Sequence, residues 1–120
     1  QALTPNELQE LLNEFGATVA DVVHANGGRV VKFIGDAVMW VSSSAERLAQ
    51  AAVDLVEHPR ARQEGLHVRA GLAHGTALAI NGDYFGNPVN LAARLVAAAG
   101  PAQILADSAL HDRLPDWPAV

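Results

Sequence analysis

The sequence contains no cysteine in its 120 residues. This excludes a disulfide scaffold, a thiol nucleophile and thiolate ligation of zinc or an iron–sulfur cluster, and it is consistent with a reducing compartment. Aromatic residues make up only 5% of the chain, so the core must be built mainly from alanine, valine and leucine. No apolar run approaches the ~20 residues that a membrane span needs, and no signal peptide opens the chain. We therefore expect a cytoplasmic domain without a membrane span.

Positive charge is also scarce. Eight basic residues stand against 13 acidic ones, which gives a net charge of −5. The basic residues are scattered, and Lys32 is the only lysine among them. We expect no nucleic-acid partner, because such partners require clustered positive charge. Half of the residues are hydrophobic, which favours a single globular domain over residues 1–120.

The first third of the chain carries clear local signals. Residues 4–7 form a capping box with proline at the first helical position. Apolar residues then recur at helical spacing over 8–23, and residues 26–28 are typical of a helix end. Beyond them, β-forming residues on both sides of Gly35 and Asp36 predict a β-hairpin with its turn at these two positions.

The rest of the chain alternates between helical and strand patterns. Ser43 and Glu46 match a second capping box, which predicts a helix that ends at Pro59. Beyond it we expect a loop at 60–65, strands at 68–72 and 77–80, and a turn at 81–83. A third helix at 87–99, a short strand at 103–105 and a last helix at 107–114 follow. The order α β β α β β α β α indicates an α+β sandwich, with helices packed on a mostly antiparallel sheet.

Two positions in the predicted hairpin invite a functional interpretation. Lys32 lies within an apolar strand, four residues before Asp36 at the turn. One interpretation is structural: Lys32 faces solvent on an edge strand, and Asp36 is an ordinary turn residue. The other is that Asp36 offers carboxylate oxygens to Mg²⁺, which usually takes one or two protein carboxylates together with substrate phosphates. These residues alone leave both interpretations open.

The third predicted helix carries a polar stripe. Asn90 and Arg94 lie one turn apart, with Val89, Ala92 and Val96 roughly opposite. The stripe is either a solvated face or a clamp for phosphate, since the arginine fork matches phosphate oxygens. Asp83, just before the helix, is typical of a turn on its own. The five histidines lack the spacing of a zinc site, so we expect none.

Two long segments carry a family resemblance: GGRVVKFIGDAVM at 27–39 and GDYFGNPVNLAARL at 82–95. Together with shorter matches at 69–75 and 101–105, they resemble the catalytic domain of class III nucleotidyl cyclases over nearly the whole chain. The resemblance is to the adenylyl type and to the short-armed bacterial subgroup. It implies a ferredoxin-like, palm-type sandwich.

The resemblance also implies a role for each polar residue in the two segments. Asp36 corresponds to one of two metal-binding aspartates. Lys32 corresponds to the lysine that recognises adenine, with Asp83 as its partner at the base. Asn90 corresponds to the residue that orients the ribose and stabilises the transition state, and Arg94 to the one that contacts the phosphates. A lysine and aspartate at the base resemble adenylyl cyclases, since guanylyl cyclases carry glutamate at the lysine position.

The implied reaction converts ATP into 3′,5′-cyclic AMP and pyrophosphate. Two divalent metal ions, Mg²⁺ or Mn²⁺, would assist the attack of the ribose 3′-oxygen on the α-phosphate. An antiparallel homodimer would form two composite sites, with metal carboxylates from one protomer and the other groups from its partner. The resemblance further implies a fused or associated regulatory domain.

The chain departs from the family pattern at three places. The family's first metal aspartate lies on a strand that would precede Gln1, and a C-terminal β segment with a phosphate-binding lysine would follow Val120. The segment between Gly75 and Gly86 is shorter than the dimerisation arm of many relatives. We therefore expect the 120 residues by themselves to hold an incomplete metal site. The alternative is a catalytically inactive, cyclase-like module for dimerisation or nucleotide sensing.

Overall fold

The computed structural model describes residues 4–63, 65 and 67–114. Within them the elements follow in the order α1 (Pro5–Ala25), β1 (Arg29–Ile34), β2 (Ala37–Val41), α2 (Ala45–Val56), α3 (Pro59–Gln63), β3 (Ala70–Leu72), β4 (Leu78–Ile80), β5 (Asp83–Phe85), α4 (Asn87–Ala98), β6 (Ile104–Ala106) and α5 (Ser108–His111). The mixed α+β class is confirmed. None of the helices in this part of the chain is long and apolar enough to cross a membrane.

The predicted ends of α1 are confirmed by their hydrogen bonds. The Glu7 backbone N–H donates to Thr4 Oγ1 at 3.2 Å, and the Thr4 N–H donates to Glu7 Oε1 at 3.1 Å. At the other end, Asn26 caps the helix and Gly27 follows with a φ of +76°, a conformation that glycine adopts without strain. Local chemistry therefore decides both ends of α1.

Two predictions for the next segment are wrong. The N-cap of α2 is Ser44, whose side chain accepts from the Arg47 N–H at 3.2 Å, and not Ser43. The helix starts one residue later than predicted, and the Ser44 N–H outside it donates to Ser42 Oγ at 3.2 Å. The predicted loop after Pro59 begins instead as the short helix α3. Proline is favoured at the first position of a helix, so Pro59 can begin a new helix directly after the preceding one has ended.

The strands form three two-stranded ladders within the described residues. Two are antiparallel, β1 with β2 and β4 with β5, and the third pairs β3 with β6 in parallel. The sequence patterns missed β5, because Asp83 at its start is typical of a turn. The β4–β5 turn lies instead at Asn81 and Gly82, which both have positive φ angles, as the tightest hairpin turns require.

The core is rich in alanine and leaves α4 at the surface. One buried cluster consists of Ala49, Ala52, Ala70, Leu72, Leu110 and Leu114, and a second of Val19, Val23 and Leu55. No residue of α4 is fully buried. Its backbone nevertheless lies against β3, since a Cβ atom on Gly71 would come within 2.4 Å of both Ala92 O and Val96 N. Glycine at this position therefore sets how closely α4 packs on the strands.

Candidate active site

Lys32 and Asp83 form an ion pair between β1 and β5. Lys32 Nζ lies 2.8 Å from Asp83 Oδ2, although the two residues are 51 positions apart in the chain. Their side chains are 43% and 30% exposed. An ammonium donor and a carboxylate acceptor thus stand side by side at the surface, where a ligand can reach both.

The surroundings of Asp83 favour its ionised form. The hydrogen bond from Lys32 lowers the pKa of Asp83 most, and the Tyr84 backbone N–H, which donates to Asp83 Oδ1 at 2.7 Å, lowers it further. Partial burial acts in the opposite direction but does not outweigh these two contacts. The Asp83 carboxylate is therefore a hydrogen-bond acceptor at neutral pH.

A second contact joins the same two strands. Arg29 Nη2 donates to the Tyr84 hydroxyl at 2.8 Å, and the guanidinium carbon lies 5.3 Å from the centre of the tyrosine ring. Sequence reasoning assigned no role to either residue. The available signal was modest: Tyr84 is the only tyrosine of the chain and follows Asp83 directly.

Asp36 lies at the tip of the β1–β2 hairpin, as predicted. Gly35 beside it has a φ of +59°, and the Asp36 side chain is exposed. Carboxylate oxygens are the donors that Mg²⁺ and Mn²⁺ prefer, and one or two carboxylates suffice when phosphates complete the coordination. Asp36 therefore fits a divalent ion. The described residues contain no cluster of three or more side chains able to hold a metal ion.

Asn90 and Arg94 are both exposed on α4, while Val89, Ala92 and Val96 are half-buried. The predicted polar stripe is thus confirmed. Within residues 4–63, 65 and 67–114, no hydrogen bond or ion pair joins Asp36, Asn90 or Arg94 to Lys32 or Asp83. The structure brings Lys32 and Asp83 together, whereas Asp36, Asn90 and Arg94 are exposed at other places on the surface.

One cleft of about 340 Å³ lies at the Arg29–Tyr84 contact, lined by Gly27, Arg29, Val41, Ser42, Ser43 and Tyr84. Another, of about 290 Å³, lies between the β3–β4 loop and the start of α4. Neither cleft is lined by Lys32, Asp36, Asp83, Asn90 or Arg94. The predicted site residues therefore lie outside these two clefts.

Similar sequences are found among bacterial proteins. An uncharacterized protein of Mycobacterium tuberculosis is 76% identical over 120 residues, covering 100% of this chain and 32% of that protein. An adenylate cyclase of Streptomyces coelicolor is 41% identical over 108 residues, covering 90% of this chain and 28% of its own length. The chain thus spans about a third of the length of these curated relatives.

Solved structures agree with this similarity. The adenylate/guanylate cyclase/hydrolase of Silicibacter pomeroyi superposes with a TM-score of 0.80 at 23% identity, covering 99% of this chain and 76% of that one. The adenylyl cyclase CyaB of P. aeruginosa gives a TM-score of 0.70 at 26% identity, covering 95% and 71%. The first of these likenesses concerns the fold alone.

The family model described as the adenylate and guanylate cyclase catalytic domain matches residues 1–116. Its extent agrees with the two long segments at 27–39 and 82–95, and with the fold shared with solved cyclases. The chain belongs to the class III adenylate and guanylate cyclase catalytic domain family.

Proposed function

We propose that this chain is the catalytic domain of an adenylate cyclase, which converts ATP into 3′,5′-cyclic AMP and pyrophosphate. The observation that supports this proposal most is the 2.8 Å pair of Lys32 and Asp83. Relatives named adenylate cyclase, such as the Streptomyces coelicolor protein, add support at the level of the sequence.

The pair of charges suits adenine. Adenine presents a ring nitrogen that accepts a hydrogen bond beside an amino group that donates one. Lys32 would donate to the ring nitrogen, and the ionised Asp83 carboxylate would accept from the amino group. A carboxylate in place of Lys32 would face the N1 acceptor of adenine unfavourably, but would match the N1–H donor of guanine.

The remaining predicted residues supply groups for the transfer step. The ribose 3′-oxygen forms a bond to the α-phosphorus as the bond to pyrophosphate breaks, and the 3′-hydroxyl loses its proton. Arg94 would contact phosphate oxygens as charge develops, and Asn90 would orient the ribose. Asp36 would hold a divalent ion, which when bound lowers the cost of ionising the hydroxyl and neutralises phosphate charge.

A homodimer would complete the site. Large apolar side chains are exposed on the β1–β2 and β4–β5 hairpins: Phe33, Ile34, Leu78, Ile80 and Phe85. Their exposure suits burial against a second copy, since soluble monomers rarely expose such patches. In that assembly Asp36 of one protomer would serve with Lys32, Asp83, Asn90 and Arg94 of its partner. The second metal aspartate would come from a strand upstream of Gln1.

The first test is formation of cyclic AMP from ATP with Mn²⁺, on the polypeptide extended upstream of Gln1. We expect product from the dimer and a loss of kcat of about 100-fold or more in Asp36→Ala, comparable to the loss of one transition-state contact. Asp21→Ala removes an exposed carboxylate of α1 and is the matched control. Normal turnover in Asp36→Ala would refute the metal role. A verified dimer without product would favour the nucleotide-sensing module.

The second test addresses the base. Lys32→Glu should lower kcat/KM for ATP and shift the preference toward GTP, because the new carboxylate can accept from guanine but not donate to adenine. An unchanged preference for ATP over GTP in this variant would contradict the assignment of Lys32 and Asp83.

A further inference from the structure

The β4–β5 hairpin, which carries Asp83, has little apolar packing to hold it. Its two strands are three residues long, and Leu78, Ile80 and Phe85 are 63%, 46% and 51% exposed. Apolar burial therefore contributes little to the position of Asp83 relative to Lys32. Something else must keep the two charged groups in register.

A bulge in β1 directs both of its basic residues toward β5. Val30 pairs with Trp40 and Lys32 with Met39, so Val31 is an extra residue in the ladder. Residues three apart in a regular strand point to opposite faces. Because the bulge inserts one residue, Arg29 and Lys32 reach the same neighbouring strand.

Two side-chain hydrogen bonds join β1 to β5 among the described residues, Lys32 to Asp83 and Arg29 to Tyr84. Both bonds are exposed to water, and water screens the ion pair and weakens it as a structural link. The second combines a hydrogen bond at 2.8 Å with the guanidinium 5.3 Å from the ring centre. A planar guanidinium and a rigid ring lose little freedom when they meet.

Tyr84 is coupled directly to Asp83. The two residues are adjacent, and the Tyr84 N–H donates to Asp83 Oδ1 at 2.7 Å. A movement of Tyr84 would therefore displace the carboxylate that faces Lys32.

We infer that Arg29 and Tyr84 are positioning residues, which hold Asp83 in register with Lys32 and so sharpen the preference for ATP over GTP. This inference rests on the proposed function and adds two residues to it. Neither residue touches the nucleotide in this role; both act through Asp83.

The activity test uses Tyr84→Phe and Arg29→Gln, with Arg113→Gln as the control for loss of an exposed arginine. Loss of one hydrogen bond should raise KM for ATP by about threefold to tenfold and lower the ATP-to-GTP ratio of kcat/KM similarly. The kcat value should change little. The double variant should be no more impaired than Arg29→Gln alone, because Arg29→Gln already removes the whole contact and Tyr84→Phe removes only its hydrogen bond. Unchanged ratios, or additive losses, would overturn the inference.

A second measurement needs no enzymatic activity. Titration of the Asp83 carboxyl by NMR, without nucleotide, should give a higher pKa in Tyr84→Phe and Arg29→Gln than in the unaltered chain and in Arg113→Gln. The same pKa in all four proteins would overturn the inference. If the polypeptide extended upstream of Gln1 makes no cyclic AMP without any substitution, the proposed function fails, whereas this titration still decides whether Arg29 and Tyr84 position Asp83.

Discussion

Gly71 offers the sharpest test of how the fold positions the site. It lies on β3 beneath α4, and a Cβ atom there would meet Ala92 O and Val96 N at 2.4 Å, about 1 Å short of an ordinary contact. Both obstacles are backbone atoms, which cannot rotate away as a side chain can. Gly71→Ala must therefore push α4, with Asn90 and Arg94, away from β3.

Overpacking of this kind costs about 1–3 kcal/mol, and a backbone obstacle places Gly71→Ala at about 3 kcal/mol. A chain of 120 residues unfolds with an entropy of about 0.25 kcal/mol/K, so Tm should fall by about 12 °C. If the chain is a cyclase, kcat should fall as well, because Asn90 and Arg94 leave their places with α4.

The assay is thermal unfolding followed by circular dichroism. Gly100→Ala is the matched control, because its Cβ meets only the flexible Gln103 side chain at 3.5 Å. Both substitutions replace glycine by alanine and lower the conformational entropy of the unfolded chain equally. This entropy change therefore cancels when the two Tm values are compared. A Tm for Gly71→Ala within about 2 °C of the control would refute the close packing of β3 against α4.

Three further predictions concern single contacts. Gly16→Ala in the middle of α1 should stabilise the fold by about 0.5–1 kcal/mol in denaturant unfolding, since its Cβ meets only an aromatic ring edge, at 3.4 Å. Asp107→Ala should cost about 1–2 kcal/mol in the same measurement, because Asp107 Oδ1 accepts from the Leu110 N–H at 2.9 Å and caps α5. The lowered pKa of Asp83 predicts a contribution to stability that is present above its ordinary pKa and is lost as pH falls through its folded value. Lys32→Ala should remove most of that pH dependence. If its free energy of unfolding fell at acidic pH as much as that of the unaltered chain, the ion pair would be contradicted.

Several features could be predicted from the sequence because they depend on neighbours in the chain. The capping box at Thr4 and Glu7, the hairpin turn at Gly35 and the polar stripe of α4 each lie within a few residues. Hydrogen bonds and helical or strand periodicity at that range determine them almost without tertiary context. The family resemblance was equally visible, since its motifs are contiguous segments.

Local patterns failed where two signals were equally good or an element was very short. Ser43 and Ser44 both suit an N-cap, and in the structure it is Ser44 whose side chain accepts from the Arg47 N–H. The strand β5 has three residues and starts with Asp83, so no periodicity could reveal it. Its partner β4 is what makes it a strand.

The sequence by itself determined which chemical groups the domain carries, and it placed Lys32 and Asp36 on the first hairpin and Asn90 and Arg94 on the third predicted helix. The family resemblance also paired Lys32 with Asp83. Tertiary structure alone decided the parallel pairing of β3 with β6, the bulge at Val31 and the contact of Arg29 with Tyr84. The pairing of β3 with β6 and the contact of Arg29 with Tyr84 join residues more than 30 positions apart. Their geometry depends on the packing of whole elements, which no local pattern of side chains records.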